Sequence, residues 1–506
     1  MPNNIFDYTK ENRGRVLLLF LLFLLAIYEL VTAGFNSFAI ICFLPCIILY
    51  IYVTFKWRMF TFWTLIVVNY FLQMKDIANS LPLPMSLPNE MLQIILLAIA
   101  IIDARQTPHF ERTANLMFIA LATWCGFCTL ELMNDTCNLG IDVGAWYTGA
   151  RLMAFQMLYT FIVFSIYISS PEILIRYIKL WAVLSLFSVY WVWKQQNFGF
   201  TVAENIWLQT RGRSTHILNA GTLIRYFSTF SDAANYGCNA AATVVAFILF
   251  SITSKFKLDR IFFLITGIAV FWGMFASGTR TAIFCVGAGF FVYIFLSKSV
   301  KIAVPFSIVF AICAFLLVFT DIGNGNQQIR RMRSAFNKDD ASANVRDMNK
   351  ETIKKYIKDA PWGIGLGMGY NVPANNKFNK LATIPPDSEY VYIWIRTGPV
   401  GMTVFVITTF IMFAGAVLTI FTRLKSKSLM GIGAGFCCAF VSIQLGGYAN
   451  QVLMQFPNNL IFYGGLAIVY ILPSIEPEWI EYENKRLAKQ EEKKRLKLEK
   501  KLASRV

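Results

Sequence analysis

Three consecutive stretches decide how this chain is read: Ile261–Ala276 (IFFLITGIAVFWGMFA), the four-residue hinge Ser277-Gly278-Thr279-Arg280, and Thr281–Leu296 (TAIFCVGAGFFVYIFL). Two apolar runs of helical length meet with no polar loop between them. Crossing a hydrocarbon core roughly 30 Å thick takes about 20 helical residues. A hinge this short returns the chain straight into the membrane and leaves Arg280 at its edge. A cation at that depth has to be matched by an anion.

The same pattern recurs outward from the hinge. The 506 residues are 56% hydrophobic and 16% aromatic, with a mean hydropathy of +0.53. The expected fold class is an all-α polytopic membrane protein of about fourteen spans. These start near Val16, Phe38, Met59, Met91, Thr113, Leu152, Ile173, Gly237, Ile261, Thr281, Ile302, Pro399, Leu429 and Asn459. Every second connection is basic (Lys10/Arg13/Arg15, Lys56/Arg58, Arg105/Arg112, Arg176/Lys179, Lys255/Lys257/Arg260, Lys298/Lys301, Arg423/Lys425/Lys427), whereas the alternate short ones carry little beyond Lys75. The positive-inside rule then puts both termini in the cytoplasm. Val16–Ala33 lacks a small-residue cleavage site and reads as an anchor. The expected division is a membrane domain over 1–473, with extracytoplasmic loops at about 194–236 and 321–397, and a cytoplasmic basic tail over 474–506.

The net charge of +17 does not mark a nucleic-acid binder. Much of the excess lies in the loops that set topology, and Lys485–Val506 alone holds ten Lys/Arg against three Glu. That tail reads either as a solvated helix or as one resting on anionic headgroups. Ten cysteines form no disulfide framework, since most fall inside apolar runs and act as small apolar residues. The Cys-x-x-Cys of Trp124-Cys125-Gly126-Phe127-Cys128 lacks the strand-to-helix setting of a redox motif.

Three segments on the extracytoplasmic side are too polar to be plain connectors: Lys194–Tyr236, the Arg280 hinge, and Asp321–Thr397. No nucleotide is available on that face. The glycine run from Gly363 to Gly369 also lacks the Lys-Ser/Thr ending of a phosphate loop, so it reads as backbone that packs closely on its neighbours. Ala343–Lys358 reads as an amphipathic helix, with Ser342 as N-cap and Pro361 just beyond its end. Val345, Met348, Ile353, Tyr356 and Ile357 share one face, and Arg346, Lys350, Lys354 and Lys358 form an i, i+4 row on another. Such a row is either a solvated face or a cationic column. Arg280, Arg330, Arg331, Arg333, Arg211, Arg213 and Arg225 keep it company, and guanidinium groups grip phosphate oxygens in bidentate fashion, which fits a converging set to a diphosphate. Asp387 and Glu389 follow in Pro385-Pro386-Asp387-Ser388-Glu389-Tyr390. Either can serve as general base for a hydroxyl, and Asp387 or Ser388 can also cap the next helix.

The order of these features resembles a family. A Ser-x-x-Arg hinge (Ser277 to Arg280) precedes two spans. A loop with Arg346 and Pro361-Trp362-Gly363-Ile364-Gly365 comes next, followed by Asp387-Ser388 leading to Gly398-Pro399-Val400-Gly401. Upstream, Phe230-Ser231-Asp232-Ala233-Ala234-Asn235-Tyr236-Gly237 is similar to an element of the same family, which singles out Asp232 and Asn235. The family is the O-antigen ligase and O-antigen polymerase superfamily of bacterial inner-membrane glycosyltransferases.

The resemblance implies an oligosaccharide donor on undecaprenyl diphosphate at the periplasmic face, a glycan or lipid A core as acceptor, and no metal or cofactor. Membrane lipids and other polysaccharide-assembly proteins are the further partners it implies. It assigns Arg280 and Arg346 to the donor diphosphate, with Arg225 assisting and Ser277 and Lys350 nearby. Asp387 falls where ligases carry histidine, and Glu389 stands second as base. The expected activity is an inverting, metal-independent polymerase. A ligase, or a protein O-oligosaccharyltransferase, is the alternative within the family. A polysaccharide or lipid transporter is the alternative from another class, and it would be expected to show internal repeats, which are not evident here.

Overall fold

The computed structural model describes residues 13–503 except 33, 79–84, 104–107, 219–222, much of 298–318, 323, 326, 334–340, 369–371 and 386; some side chains, including those of 341–347, are also outside the description. The chain divides into two compact units, residues 1–64 and 65–506. The first unit holds α1 (Arg13–Thr32), α2 (Phe35–Lys56) and the beginning of α3 (Arg58–Phe71). Everything below concerns the second.

The second unit continues with α4 (Ser86–Ile102), α5 (Leu116–Leu130), α6 (Val143–Tyr167), α7 (Pro171–Asn197), α8 (Ala233–Thr253), α9 (Lys257–Ala276) and α10 (Thr281–Leu296). Four longer helices follow among the described residues: α11 (Ala341–Ile357), α12 (Glu389–Thr422), α13 (Lys427–Ala449) and α14 (Gly464–Ala503), with short helical turns at Gln327–Arg333 and Asn379–Ala382. Nine helices among the described residues are long and apolar enough to cross a membrane, or up to ten if a bent pair counts as one. The protein is an all-α polytopic membrane protein. A helix lies at or near each expected span start except Ile302, most of whose segment is outside the described residues, and α4 and α10 are shorter than the rest.

α8, α13 and the last span, Asn459–Leu496, are each 83% buried over their apolar windows, against 39% for α9 and α12, and α8 packs directly on α13. Small residues make this possible. In α8, Gly237, Cys238, Ala240, Ala241 and Ala242 are buried, as are Gly431, Gly433, Ala434, Gly435, Cys437 and Cys438 in α13. A Cβ on Gly431 would lie 2.3 Å from Thr253 and one on Gly435 2.4 Å from Phe250. Helices without a solvent-driven hydrophobic effect between them associate through such close backbone contact. The seven described cysteines are buried and free, Cys125 and Cys128 included.

α12 has 34 residues, roughly 50 Å of helix, which exceeds the hydrocarbon thickness. It breaks at Gly398, whose φ of 65° only glycine adopts cheaply, and Pro399 follows. The glycine run closes onto this break. Ile364 N–H donates to Ile395 C=O and Gly365 N–H to Arg396 C=O, both at 3.0 Å, and a Cβ on Gly398 would lie 2.1 Å from the Pro361 carbonyl. The glycines therefore serve close packing of backbone on backbone, as read from the sequence.

The loop before α12 forms its own small core of Ile353, Ile357, Ala360, Ile364, Val372, Phe378, Leu381 and Ile395, with Cys137 from the α5–α6 connection. Asn134 and Asn376 fasten that connection to the loop, donating to the Trp362 carbonyl (2.8 Å) and the Cys137 carbonyl (2.7 Å). Two details of the expected amphipathic helix change. It begins at Ala341, so Ser342 lies inside it and is no cap. Met348 is 61% exposed, because one turn of the apolar stripe projects past the small core. α14 runs 40 residues without a break, so the basic tail is a direct continuation of the last span. The middle of α14 is pinned by Lys255–Glu483 (2.6 Å) and Arg486–Asp259 (2.9 Å).

Candidate active site

The Ser277–Arg280 hinge is held by its own side chains. Ser277 Oγ donates to the Met274 carbonyl (2.7 Å) and accepts the Thr279 N–H (3.2 Å). Thr279 Oγ1 donates to the Ala233 carbonyl at the start of α8 (2.7 Å). Gly278 takes a φ of 58°, which turns the chain between α9 and α10.

Two arginines from distant segments close on this turn. Arg225 donates through Nε to the Ser277 carbonyl (3.2 Å), through Nη2 to Thr279 Oγ1 (3.1 Å) and through Nη1 to the Thr215 carbonyl (3.0 Å). Arg331 donates through Nε to the Gly278 carbonyl (2.8 Å). A Cβ on Gly278 would lie 3.3 Å from both arginine stems, so the glycine also makes room for them. Arg280 completes the group. Burial pushes the Arg331 guanidinium down to about 10, and the nearby charges of Arg225 and Arg280 add to that. Arg225 shifts down for the same reasons, with Asp232 opposing. Three like charges drawn together and partly desolvated repel one another, a cost that a bound anion would offset.

Arg225 arrives by way of a short hairpin, β1 (Ile217–Leu218) against β2 (Leu223–Ile224), paired Ile217 to Ile224 and Leu218 to Leu223. The pairing extends by one bond, from Arg225 N–H to the His216 carbonyl (2.9 Å). His216 is buried, and its Nε2 accepts the Ala233 N–H (3.0 Å), which leaves the proton on Nδ1 facing the Gly212 carbonyl and the Thr215 hydroxyl. Burial, reinforced by Arg225, pushes its imidazole down to about 4. The unfolded chain binds this proton from about pH 6.5 downward and the native state only near pH 4, so stability is present above 6.5 and is lost as pH falls between them. The full loss amounts to about 3 kcal/mol. Thermal unfolding at pH 7 and pH 4.5 is expected to show a larger drop for the wild type than for His216→Asn.

Asp387 opens onto a second feature, a groove of about 230 Å³ that it lines with Lys350, Lys354, Tyr390, Trp394 and Tyr448. It is exposed. The cap of α12 is Ser388, whose Oγ accepts the Val391 N–H (3.4 Å) and donates to the Gly447 carbonyl (3.1 Å). Asp387 is therefore not needed to start the helix. Lys350 reaches across to Tyr448, with Nζ 3.4 Å from its hydroxyl.

The end of α13 and the loop after it connect groove and cluster. Tyr448 and Ala449 line the groove, and Asn450 donates to Thr281 Oγ1 (3.3 Å), the residue after Arg280. The loop from Asn450 to Asn458 is fixed from both sides. Glu389 is 3% exposed and accepts the N–H groups of Leu453 (2.9 Å) and Met454 (3.5 Å). From α8, Asn235 accepts from Asn458 Nδ2 (2.7 Å) and donates to the Phe456 carbonyl (3.1 Å), while Asn239 donates to Asn458 Oδ1 (2.7 Å).

The singled-out residues thus divide. Arg225 and Arg280 stand together at the hinge. Asp387 and Lys350 share the groove. The contacts of Ser277, Asn235 and Asp232 serve the fold: Asp232 caps α8, accepting the N–H groups of Ala234 (2.7 Å) and Asn235 (2.9 Å). Arg346 lies in α11 one turn before Lys350, but its side chain is outside the described residues. Arg331 is the cluster member that the sequence reading held only as company. The 450–458 loop is the part of the site with no motif of its own in the sequence, where Asn450-Gln451 and Asn458-Asn459 bracket the mostly apolar stretch 452–457.

Fold and site together define a multi-pass helical membrane protein whose extramembrane segments gather arginines around a hinge between two spans. Residues 262–406 match the family model described as O-antigen ligase, so this segment of the chain is similar to that family. The matched segment includes the hinge, Arg331, α11, the glycine run and the start of α12, while Arg225 and the 450–458 loop lie outside it. No curated protein matches the chain.

Proposed function

We propose that this protein is an inverting glycosyltransferase of the bacterial inner membrane, with both termini cytoplasmic and its fourteen-span bundle presenting the site outside. It takes an oligosaccharide from an undecaprenyl-diphosphate carrier and adds it to a growing O-antigen or capsule-type chain. An acceptor hydroxyl oxygen attacks the anomeric carbon, the bond from that carbon to the diphosphate oxygen breaks, and its electrons leave with the diphosphate. The hydroxyl proton passes to Asp387. Arg280, Arg331 and Arg346 neutralise the departing charge without a metal, and Arg225 holds the hinge while keeping two N–H groups for the ligand.

The observation that carries this reading is the gathering of Arg225, Arg280 and Arg331 at the turn between α9 and α10. The family description favours a second reading, a ligase that transfers finished glycan to lipid A core. Glycan profiling of a deletion strain separates the two. Single repeats retained with long chains missing is expected for the polymerase, and free unattached polymer is the outcome for the ligase. Topology has its own test. Cysteines at Asn375 and Lys425 are both at exposed positions, and an impermeant thiol reagent applied to intact cells is expected to label the first and spare the second. Labelling of Lys425→Cys overturns the orientation.

A further inference from the structure

The opposite face of the first turns of α12 borders a different space. Positions 387, 388, 391 and 394 line the groove, whereas Glu389, Tyr392 and Arg396 line a cavity of about 530 Å³. This volume lies within the roughly 300–1,000 Å³ of small-molecule sites. Gln451 and Gln455 from the 450–458 loop and Gln73 from beyond α3 also line it. Among the described residues, none of these three amide side chains makes a hydrogen bond within the protein. Each of these partly buried amides brings two donors and an acceptor to the cavity wall, the complement of a ligand rich in hydroxyl groups.

We infer that this cavity is a saccharide subsite, occupied by the acceptor glycan while the donor diphosphate sits at the arginine cluster; the inference rests on the glycosyltransferase reading. The lining decides the ligand class. One carboxylate and one guanidinium leave it without net charge, unlike the all-cationic hinge, so it does not select a phosphate. Apolar side chains such as Met85, Leu152, Leu381 and Phe456 line about half of it, and the amides, Tyr392 and the charged pair the rest, a mixed wall that suits the apolar faces and polar rims of sugar rings better than an acyl chain. Neutral, hydroxyl-rich rings match what remains. The groove with Asp387 and this cavity lie on opposite faces of the first turns of α12, about 10 Å or one helix thickness apart, and Glu389, the second candidate base, lines the cavity itself.

The test uses the purified full chain in detergent and, as probe, the oligosaccharide freed from the host's own lipid-linked glycan by mild acid. Saturation-transfer NMR is expected to detect binding to the wild type, and Gln451→Ala/Gln455→Ala to weaken it about tenfold, as does the loss of one or two hydrogen bonds. In transfer assays the same variant is expected to raise the acceptor KM about tenfold with kcat nearly unchanged, which also reports a folded protein. Gln73→Leu, on a separate segment, is expected to act in the same direction. No binding by wild type, or binding unchanged in all three positions' variants, overturns the subsite. Arg280→Ala distinguishes this from failure of the parent reading. It is expected to retain oligosaccharide binding while losing transfer, and full transfer in that variant sinks the diphosphate site and leaves the sugar site standing.

Discussion

Arg280→Ala is expected to abolish transfer without affecting membrane insertion, and Arg280→Lys to restore little of it. The backbone at this position is already helical, with φ −60° and ψ −41°, so alanine fits the turn between α9 and α10. The hinge itself is held by Ser277, Thr279, Arg225 and Arg331, none of which is altered. The loss therefore falls on the ligand. Lysine keeps the charge and loses the planar fork that grips two oxygens at once. Arg331→Ala is expected to act in the same direction, because its guanidinium belongs to the same cluster. A steady-state transfer assay on protein checked for expression decides this. Full activity in either Arg280 variant means that no diphosphate is clamped here.

Asp387→Asn is expected to lower turnover by ~10² to 10⁴, the usual contribution of a positioned general base. A helix-capping role no longer competes with this reading, since Ser388 makes the capping bond and Asp387 is exposed in the groove beside Lys350 and Lys354. Folding is accordingly expected to be unchanged, so that lost turnover reports chemistry. The comparison residue is Glu389. Its carboxylate accepts two backbone N–H groups of the 450–458 loop, so Glu389→Gln is expected to destabilise the protein as well as alter activity. Unchanged turnover in Asp387→Asn, together with loss in a stable Glu389→Gln, transfers the role of base to Glu389.

Hydropathy and spacing were enough to read the membrane bundle, the hinge with its arginine, the helix in the large loop and the order of family motifs. These are local properties. A span needs only a run of apolar residues, a hinge only its glycine and short length, and an amphipathic helix only its period of 3.6. The sequence also named Arg225 and Asp387, but it could not tell a ligand-binding cation from one that holds backbone, or a base from a cap. Those distinctions depend on partners far away in the chain. Arg225 meets the hinge 52 residues on, and Arg331 meets it from 53 residues on the other side. Glu389 reaches the loop at Leu453, 64 residues away, and Asn235 reaches Asn458 across 223. Only the tertiary structure decided which charges converge and which polar groups are occupied by the fold. It did so because α8 and α13 carry side chains small enough to let these distant segments meet at one end of the bundle.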